Sequence, residues 1–184
     1  WATPNWMTEA EYKAQVKAFI EVFRYCQLWY LNEYSTILIG SDEPVRIDYN
    51  LITKRFKDPK VIDDLKNVFI TEPYIFTSQF SMEKEELMKY CANVPSNPDD
   101  YPVVDFSTVV SIAPDTNALK FFAASKVDYS KIMLSDTLSA DESKEIMEKM
   151  SMYSQARKYA IDDLIAEVRR QSNEYHPGKK NPNR

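Results

Sequence analysis

Glycine and histidine are the residues that this chain has least of: Gly40, Gly178 and His176 are the only ones among 184 residues. Loops that hold phosphates or dinucleotides need several glycines, because the backbone must approach the ligand closely. Neither the P-loop pattern nor the dinucleotide fingerprint is present. The lack of histidine removes a Ser-His-Asp triad from the body of the chain and most transition-metal sites. We therefore expect no catalytic residue, no metal site and no bound cofactor in this chain.

Cysteine is almost as scarce, since Cys26 and Cys91 are the only two. Two distant cysteines do not form a disulfide framework or a zinc site. Buried free thiols in a reducing compartment are the expectation, which favours a cytoplasmic location.

Positive charge and long apolar runs are missing as well. Lys and Arg number 23 against 28 Asp and Glu, so the net charge is 23 − 28 = −5, and the pI is near 5.1. Without a basic stripe, nucleic acid is not an expected partner. No run of about 18 apolar residues occurs, so we expect no membrane span in this chain. The chain begins at Trp1 rather than Met, and we expect it to be a piece of a longer protein.

What the chain does have is a strong pattern of secondary structure at its start. Hydrophobic residues make up 44% of the sequence, enough for a substantial core. A capping box at Thr8 and Glu11, followed by apolar residues at helical spacing, predicts a helix over 9–23. Residues 26–31 and 35–40 predict two antiparallel strands joined by a turn at 32–34. The second strand is mostly apolar, as expected for a strand covered on both faces.

Helices dominate the prediction for the rest of the chain. The spacing predicts helices over 49–57 and 59–68, an aromatic connector over 73–80, and a helix that Ser81 caps and that continues to about 91. A second capping box at Ser139 and Glu142 opens a helix of about 140–171, with a possible break near Ser151. A flexible tail is expected after it.

The acidic loop at residues 97–106 (Asn-Pro-Asp-Asp-Tyr-Pro-Val-Val-Asp-Phe) is the most distinctive segment. Two prolines restrict the backbone, so the loop is stiff, and a short strand is predicted over 103–106. Stiffly held carboxylates are suited to bind a cationic or hydroxylated ligand. An ordinary turn, in which Asp and Asn cap backbone amides, explains the same residues.

Four segments in this order carry a family resemblance: residues 19–23 (Phe-Ile-Glu-Val-Phe), 28–30 (Leu-Trp-Tyr), 39–44 (Ile-Gly-Ser-Asp-Glu-Pro) and the acidic loop 97–106. Together they resemble the C-terminal part of spermidine synthase-like proteins, in particular the type fused to a membrane transporter-like half. The sequence departs from that pattern at Pro98, where the family has Thr, and at Asp105, where it has Glu.

The resemblance implies a fold, a reaction and a division of the chain. The fold would be α/β: the C-terminal portion of a Rossmann-like methyltransferase fold (helix plus antiparallel strand pair) over 1–115, then an α-helical extension over 116–184. The parent would use decarboxylated S-adenosylmethionine as co-substrate and move its aminopropyl group to a polyamine nitrogen.

The resemblance also implies roles for particular residues and partners. Asn97, Asp99, Asp100 and Trp1 would contact the substrate, since carboxylates can anchor a polyamine cation. The residues that carry the reaction would lie in a missing N-terminal portion, which makes that portion the expected partner. The parent would lie on the cytoplasmic side, whether or not it is fused to a membrane half, and a homo-oligomer is possible.

Two other interpretations remain open from the residues. In one, the chain is a non-catalytic interaction or scaffold module that docks a partner through its long helix. In the other, the carboxylates of 99–105 serve a small acidic hydrolase, which would require a concave pocket around them.

Overall fold

A computed structural model of the chain describes residues 7–32, 35–97, 117–132, 134 and 138–175. These residues form a mixed α/β structure in which helices pack around a three-stranded antiparallel sheet. The strand predicted over 103–106 lies outside the described residues. The tail was predicted after about 171, but the helix continues to Tyr175, and the residues beyond it lie outside the described part. Within the described part, no helix combines the length and apolar character needed to cross a membrane.

Seven helices, three strands and one 3₁₀ turn lie within the described residues. In chain order they are α1 (Glu9–Val22), β1 (Tyr25–Asn32), β2 (Ser35–Ser41), α2 (Tyr49–Arg55), α3 (Pro59–Lys66), α4 (Pro73–Thr77), β3 (Phe80–Glu83), α5 (Lys84–Tyr90), α6 (Asn117–Ala124), a 3₁₀ turn (Tyr129–Lys131) and α7 (Ala140–Tyr175).

Helix α1 begins where the capping box predicts it. The Glu11 amide donates to the Thr8 hydroxyl at 3.3 Å, and the Thr8 amide donates to the Glu11 carboxylate at 2.6 Å. Both bonds satisfy amides that have no partner inside the first turn. The helix ends one residue before the predicted 23, because Phe23 is already extended.

The sheet has the strand order β2-β1-β3, so β1 is central. Leu28 faces Leu38 of β2 on one side and Met82 of β3 on the other. The prediction at Ser81 is wrong: Ser81 lies buried inside β3, and α5 begins only at Lys84, with Glu83 as its N-cap. Pairing with a strand some 50 residues earlier is a tertiary interaction that overrides the local helix signal.

The connector predicted over 73–80 contains the short helix α4, and two of the other predicted helices are shorter than expected. Helix α2 ends at Arg55 rather than 57, and α3 ends at Lys66 rather than 68. After α3 the chain turns at Phe69, which has a φ of 61°. The left-handed region is the usual way to end a helix, although glycine rather than a bulky residue is the common choice there.

Helix α7 confirms the second capping box. The Glu142 amide donates to the Ser139 hydroxyl at 3.2 Å, and the Ser139 amide donates to the Glu142 carboxylate at 2.8 Å. The helix then runs for 36 residues without a break at Ser151. No proline or glycine interrupts it, so every turn keeps its hydrogen bonds.

Each face of the sheet has its own hydrophobic core. The face covered by α1, which we call the α1-face core, buries Tyr12, Val16, Ile20, Cys26, Leu28, Tyr30, Met82, Leu87, Tyr90, Cys91, Ala118, Phe122, Ile161 and Ile165. The opposite face, which we call the groove-face core, buries Trp29, Ile47, Tyr49, Phe80, Tyr129, Ile132 and Met150.

Helix α7 joins the two cores. Met150 is fully buried in the groove-face core, and Ile161 and Ile165 are buried in the α1-face core. Residues on both sides of the predicted domain boundary at 115/116 therefore contribute to the same packing.

Candidate functional site

The predicted substrate-binding residues are only partly within the described structure. Asn97 is half-buried at the end of the segment that follows α5. Trp1, Asp99 and Asp100 lie outside the described residues, so whether they gather around Asn97 stays a prediction.

The segment that leads into the acidic loop is held against α1. The Lys17 ammonium group donates to the Val94 carbonyl at 2.7 Å, across 77 positions of sequence. Before it, Leu87 and Cys91 are buried in the α1-face core. The loop therefore starts from a fixed point beside α1.

An open apolar groove lies on the opposite face of the sheet. It has a volume of about 310 Å³, and we call it the sheet groove. Its floor is made by Trp29, Ile37 and Ile39, and its walls by the segment 45–48, by α2 and by Phe76. Ile39 is 37% exposed, so β2 is not covered on both faces as the sequence predicted. Leu51 of α2, on the wall of the groove, is 52% exposed.

Polar groups in the sheet groove are mostly occupied by the protein itself. The Gln27 amide nitrogen donates to the Val45 carbonyl at 3.1 Å, and its oxygen accepts from the Trp29 indole at 3.3 Å. Asp48 accepts from the Leu51 amide at 3.0 Å as the N-cap of α2. These bonds fix the walls of the groove, and the surface that remains is suited to apolar side chains rather than to acid–base chemistry.

Buried thiol and phenol groups elsewhere are held neutral. Burial raises the pKa of the Cys91 thiol to about 11, and Lys13 and Lys17 offset only part of that rise. Burial also raises the pKa of Tyr49 to about 12 and that of Tyr12 further still. A thiol or phenol that stays protonated at neutral pH is not an activated nucleophile.

Metal binding has no support in the part of the chain that the structure describes. There, no group of three or more His, Cys, Asp or Glu side chains could hold an ion. A cavity of about 440 Å³ beside the start of β1 mixes Arg24 and Lys84 with Glu83 and Glu85, and so favours neither sign of ligand charge.

Sequence reasoning missed the sheet groove, although part of the signal was present. Residues at alternate positions of one strand share a face, so Ile37 and Ile39 were expected to lie on the same side of the sheet. The walls come from α2 and α4, and nothing local indicates where those helices pack.

Comparison with known proteins adds no relative. No protein-family model matches the chain, and neither a curated protein nor a solved structure matches it.

Proposed function

We propose that this chain is the C-terminal part of a spermidine synthase-like aminopropyltransferase with a Rossmann-like catalytic fold, and that it is catalytically incomplete alone. The sequence resemblance is its basis. In support, the first three matching segments fall on consecutive elements of one packed unit: residues 19–23 at the end of α1, 28–30 in β1 and 39–41 at the end of β2.

The observation that carries the proposal furthest is the outer edge of β2. Within the described ranges, β1 is the only strand that pairs with β2. The β2 sequence, Ser-Thr-Ile-Leu-Ile-Gly-Ser, has no charge and no proline. Edge strands that face solvent usually carry charged residues or proline, which hinder pairing with a further strand. An edge without them is expected where the sheet continues into a missing portion.

In this proposal the acidic loop contributes to the amine site. Aminopropyl transfer needs an uncharged attacking nitrogen and leaves the rest of the polyamine cationic. Asn97, Asp99 and Asp100 would hold the cationic part, and Trp1 would form an apolar wall. The missing portion would bind decarboxylated S-adenosylmethionine and would supply the group that accepts the proton. The reaction would take place on the cytoplasmic side.

The intact reading frame provides the test. We expect the sequence upstream of Trp1 to carry a Gly-rich loop and an acidic pair, and the longer protein to transfer aminopropyl groups from decarboxylated S-adenosylmethionine to a diamine. In that protein, Asp99→Asn or Asp100→Asn should raise KM for the amine about tenfold, because a charge-assisted contact worth about 1.4 kcal/mol is lost. Asp63→Asn, on the exposed face of α3, is the matched control and should change nothing.

A start or processing site directly before Trp1, or a longer protein without transferase activity, would contradict the proposal. The alternative, a non-catalytic module that binds a partner or a second copy through α7, would then be favoured. Its support is the exposure of Met152 and Tyr159 on α7, at 65% and 71%. If α7 mediates self-association, the double variant Met152→Lys with Tyr159→Lys should be a monomer where the parent chain is a dimer. Light scattering measures the mass of each.

A further inference from the structure

Arg157 lies at the point of α7 where the two cores meet, between Met150 and Ile161. Its guanidinium donates from Nη1 to the Ser78 hydroxyl at 3.0 Å and from Nη2 to the Ser78 carbonyl. Ser78 is 1% exposed, and its carbonyl also accepts from the Tyr129 hydroxyl at 2.9 Å. A positive charge is thus anchored by neutral groups in the turn between α4 and β3.

A second cation lies next to it. The Lys158 ammonium group donates to the Ser125 carbonyl. Burial lowers the pKa of Lys158, and the nearby positive charge of Lys126 lowers it further. Burial likewise lowers the pKa of Arg157.

No carboxylate balances these charges in the described structure. The ion pairs found there are made by other side chains, and neither Arg157 nor Lys158 takes part in one. The nearby Asp128 carboxylate accepts from the amide and hydroxyl of Ser130. Both cations are half-buried. A cation that is partly removed from water and held only by carbonyl and hydroxyl groups keeps part of its desolvation cost, because charges in such places are normally paired.

A small cavity adjoins both cations, and its lining mixes polar groups with the apolar side chains of Phe80, Phe122, Val127 and Ile161. Its volume is about 20 Å³, enough for one water molecule or one halide ion. Apart from the two cations, its polar lining residues are Tyr30, Ser78, Gln79, Ser81 and Ser154. Hydroxyl, amide and guanidinium groups can all donate hydrogen bonds, so the lining suits an anion rather than a cation.

We propose that this cavity binds a single inorganic anion of chloride size, held by Arg157 and Lys158 between α7 and the turn that joins α4 to β3. The anion neutralises the two half-buried cations and thereby stabilises the junction of the two cores. The site is independent of the proposed transferase function, since it shares no residue with the acidic loop.

The test compares the melting temperature of the chain in sodium chloride and in sodium gluconate at equal ionic strength. Chloride should raise it saturably, by about 3 to 5 °C at about 200 mM, because a ligand that binds only the folded state stabilises it. The difference should vanish in Arg157→Met and shrink in Lys158→Met. It should persist in Arg170→Met, which removes an exposed arginine of the same helix that pairs with Glu167 at 2.8 Å.

Crystals soaked in bromide give a second readout that survives if Arg157→Met fails to fold. An anomalous peak in the cavity supports the site if it disappears in Arg157→Lys, which repositions a donor, and in Lys158→Met, which removes one. Equal melting temperatures in the two salts would overturn the proposal. A bromide peak without any chloride-dependent stabilisation would also overturn it, because the bromide would then be an adventitious ion only.

Discussion

The two faces of the sheet are covered differently, although the same central strand supplies buried side chains to both. On the α1 face, Leu28 and Tyr30 are sealed under α1, α5, α6 and the second half of α7. On the other face, Trp29 is buried against Phe80 and Phe76, but the neighbouring Ile39 borders an open groove. The α1 face is thus a sealed core, while the groove face leaves apolar surface exposed.

The largest effect that would test this difference is expected from Leu28→Ala. Leu28 is fully buried in the α1-face core. Truncation should lower the free energy of unfolding by about 3 to 4 kcal/mol, because a sealed core cannot collapse around the cavity that results. Urea denaturation measures it, and a loss below about 1.5 kcal/mol would show that the α1 face is as loosely packed as the groove.

Gly40→Ala should be the next most harmful change. An added Cβ would overlap the Phe23 ring and approach Phe19 Cζ to 2.9 Å, on the α1 face. We expect a loss of about 2 kcal/mol, since overpacking forces side chains off their rotamers. The matched variant is Gly40→Ala combined with Phe23→Leu, which should recover about half of the loss in urea denaturation. An additive double mutant would show that the cost of the alanine arises elsewhere.

A smaller effect concerns pH and the Cys91 thiol, which is 1% exposed on the α1 face. Its pKa is raised from 9.0 to about 11, so the folded state holds the proton more tightly than the unfolded state. This contribution to stability is fully present below pH 9 and is lost as the pH rises from 9 to about 11.

Between pH 8 and pH 10 the thiol should therefore account for a loss of about 1 kcal/mol in the free energy of unfolding. Cys91→Ala removes this part of the pH dependence and is compared with the parent chain by urea denaturation at both pH values. Identical pH profiles for the two would contradict burial of the thiol.

The smallest effect is expected on the groove face. Ile39→Ala should change the free energy of unfolding by less than about 0.5 kcal/mol, because the side chain is 37% exposed and already borders open space. A loss as large as that of Leu28→Ala would mean that the groove is closed in solution and that the two faces do not differ.

How far the sequence predicted the fold depended on how local each signal was. Helix α1, both capping boxes, the hairpin of β1 and β2, and the long helix α7 all appear within a few residues of their predicted limits. Strand β3 was missed, and Ser81 was assigned to a helix cap. The local sequence around Ser81 contains a turn residue and helix formers, and the strand exists only because β1 offers it a partner.

The candidate site divides in the same way. The acidic loop was singled out from its prolines and carboxylates, and of its proposed ligand residues only Asn97 lies within the described structure. The sheet groove and the Arg157 cavity were not predicted, because each joins side chains of several separate elements. The groove residues extend from Gln27 to Gln79 and the cavity residues from Tyr30 to Ile161, and no short pattern encodes their proximity.

By itself, the sequence determined the elements whose stabilising contacts lie within one turn or one hairpin: capped helix starts, the apolar stripe of α1 and the uninterrupted length of α7. Only the tertiary structure decided which strand became central, which face was sealed and which groups Arg157 contacts. The physical reason is that caps and periodicity act over three or four residues, whereas burial is shared among segments that meet only after folding.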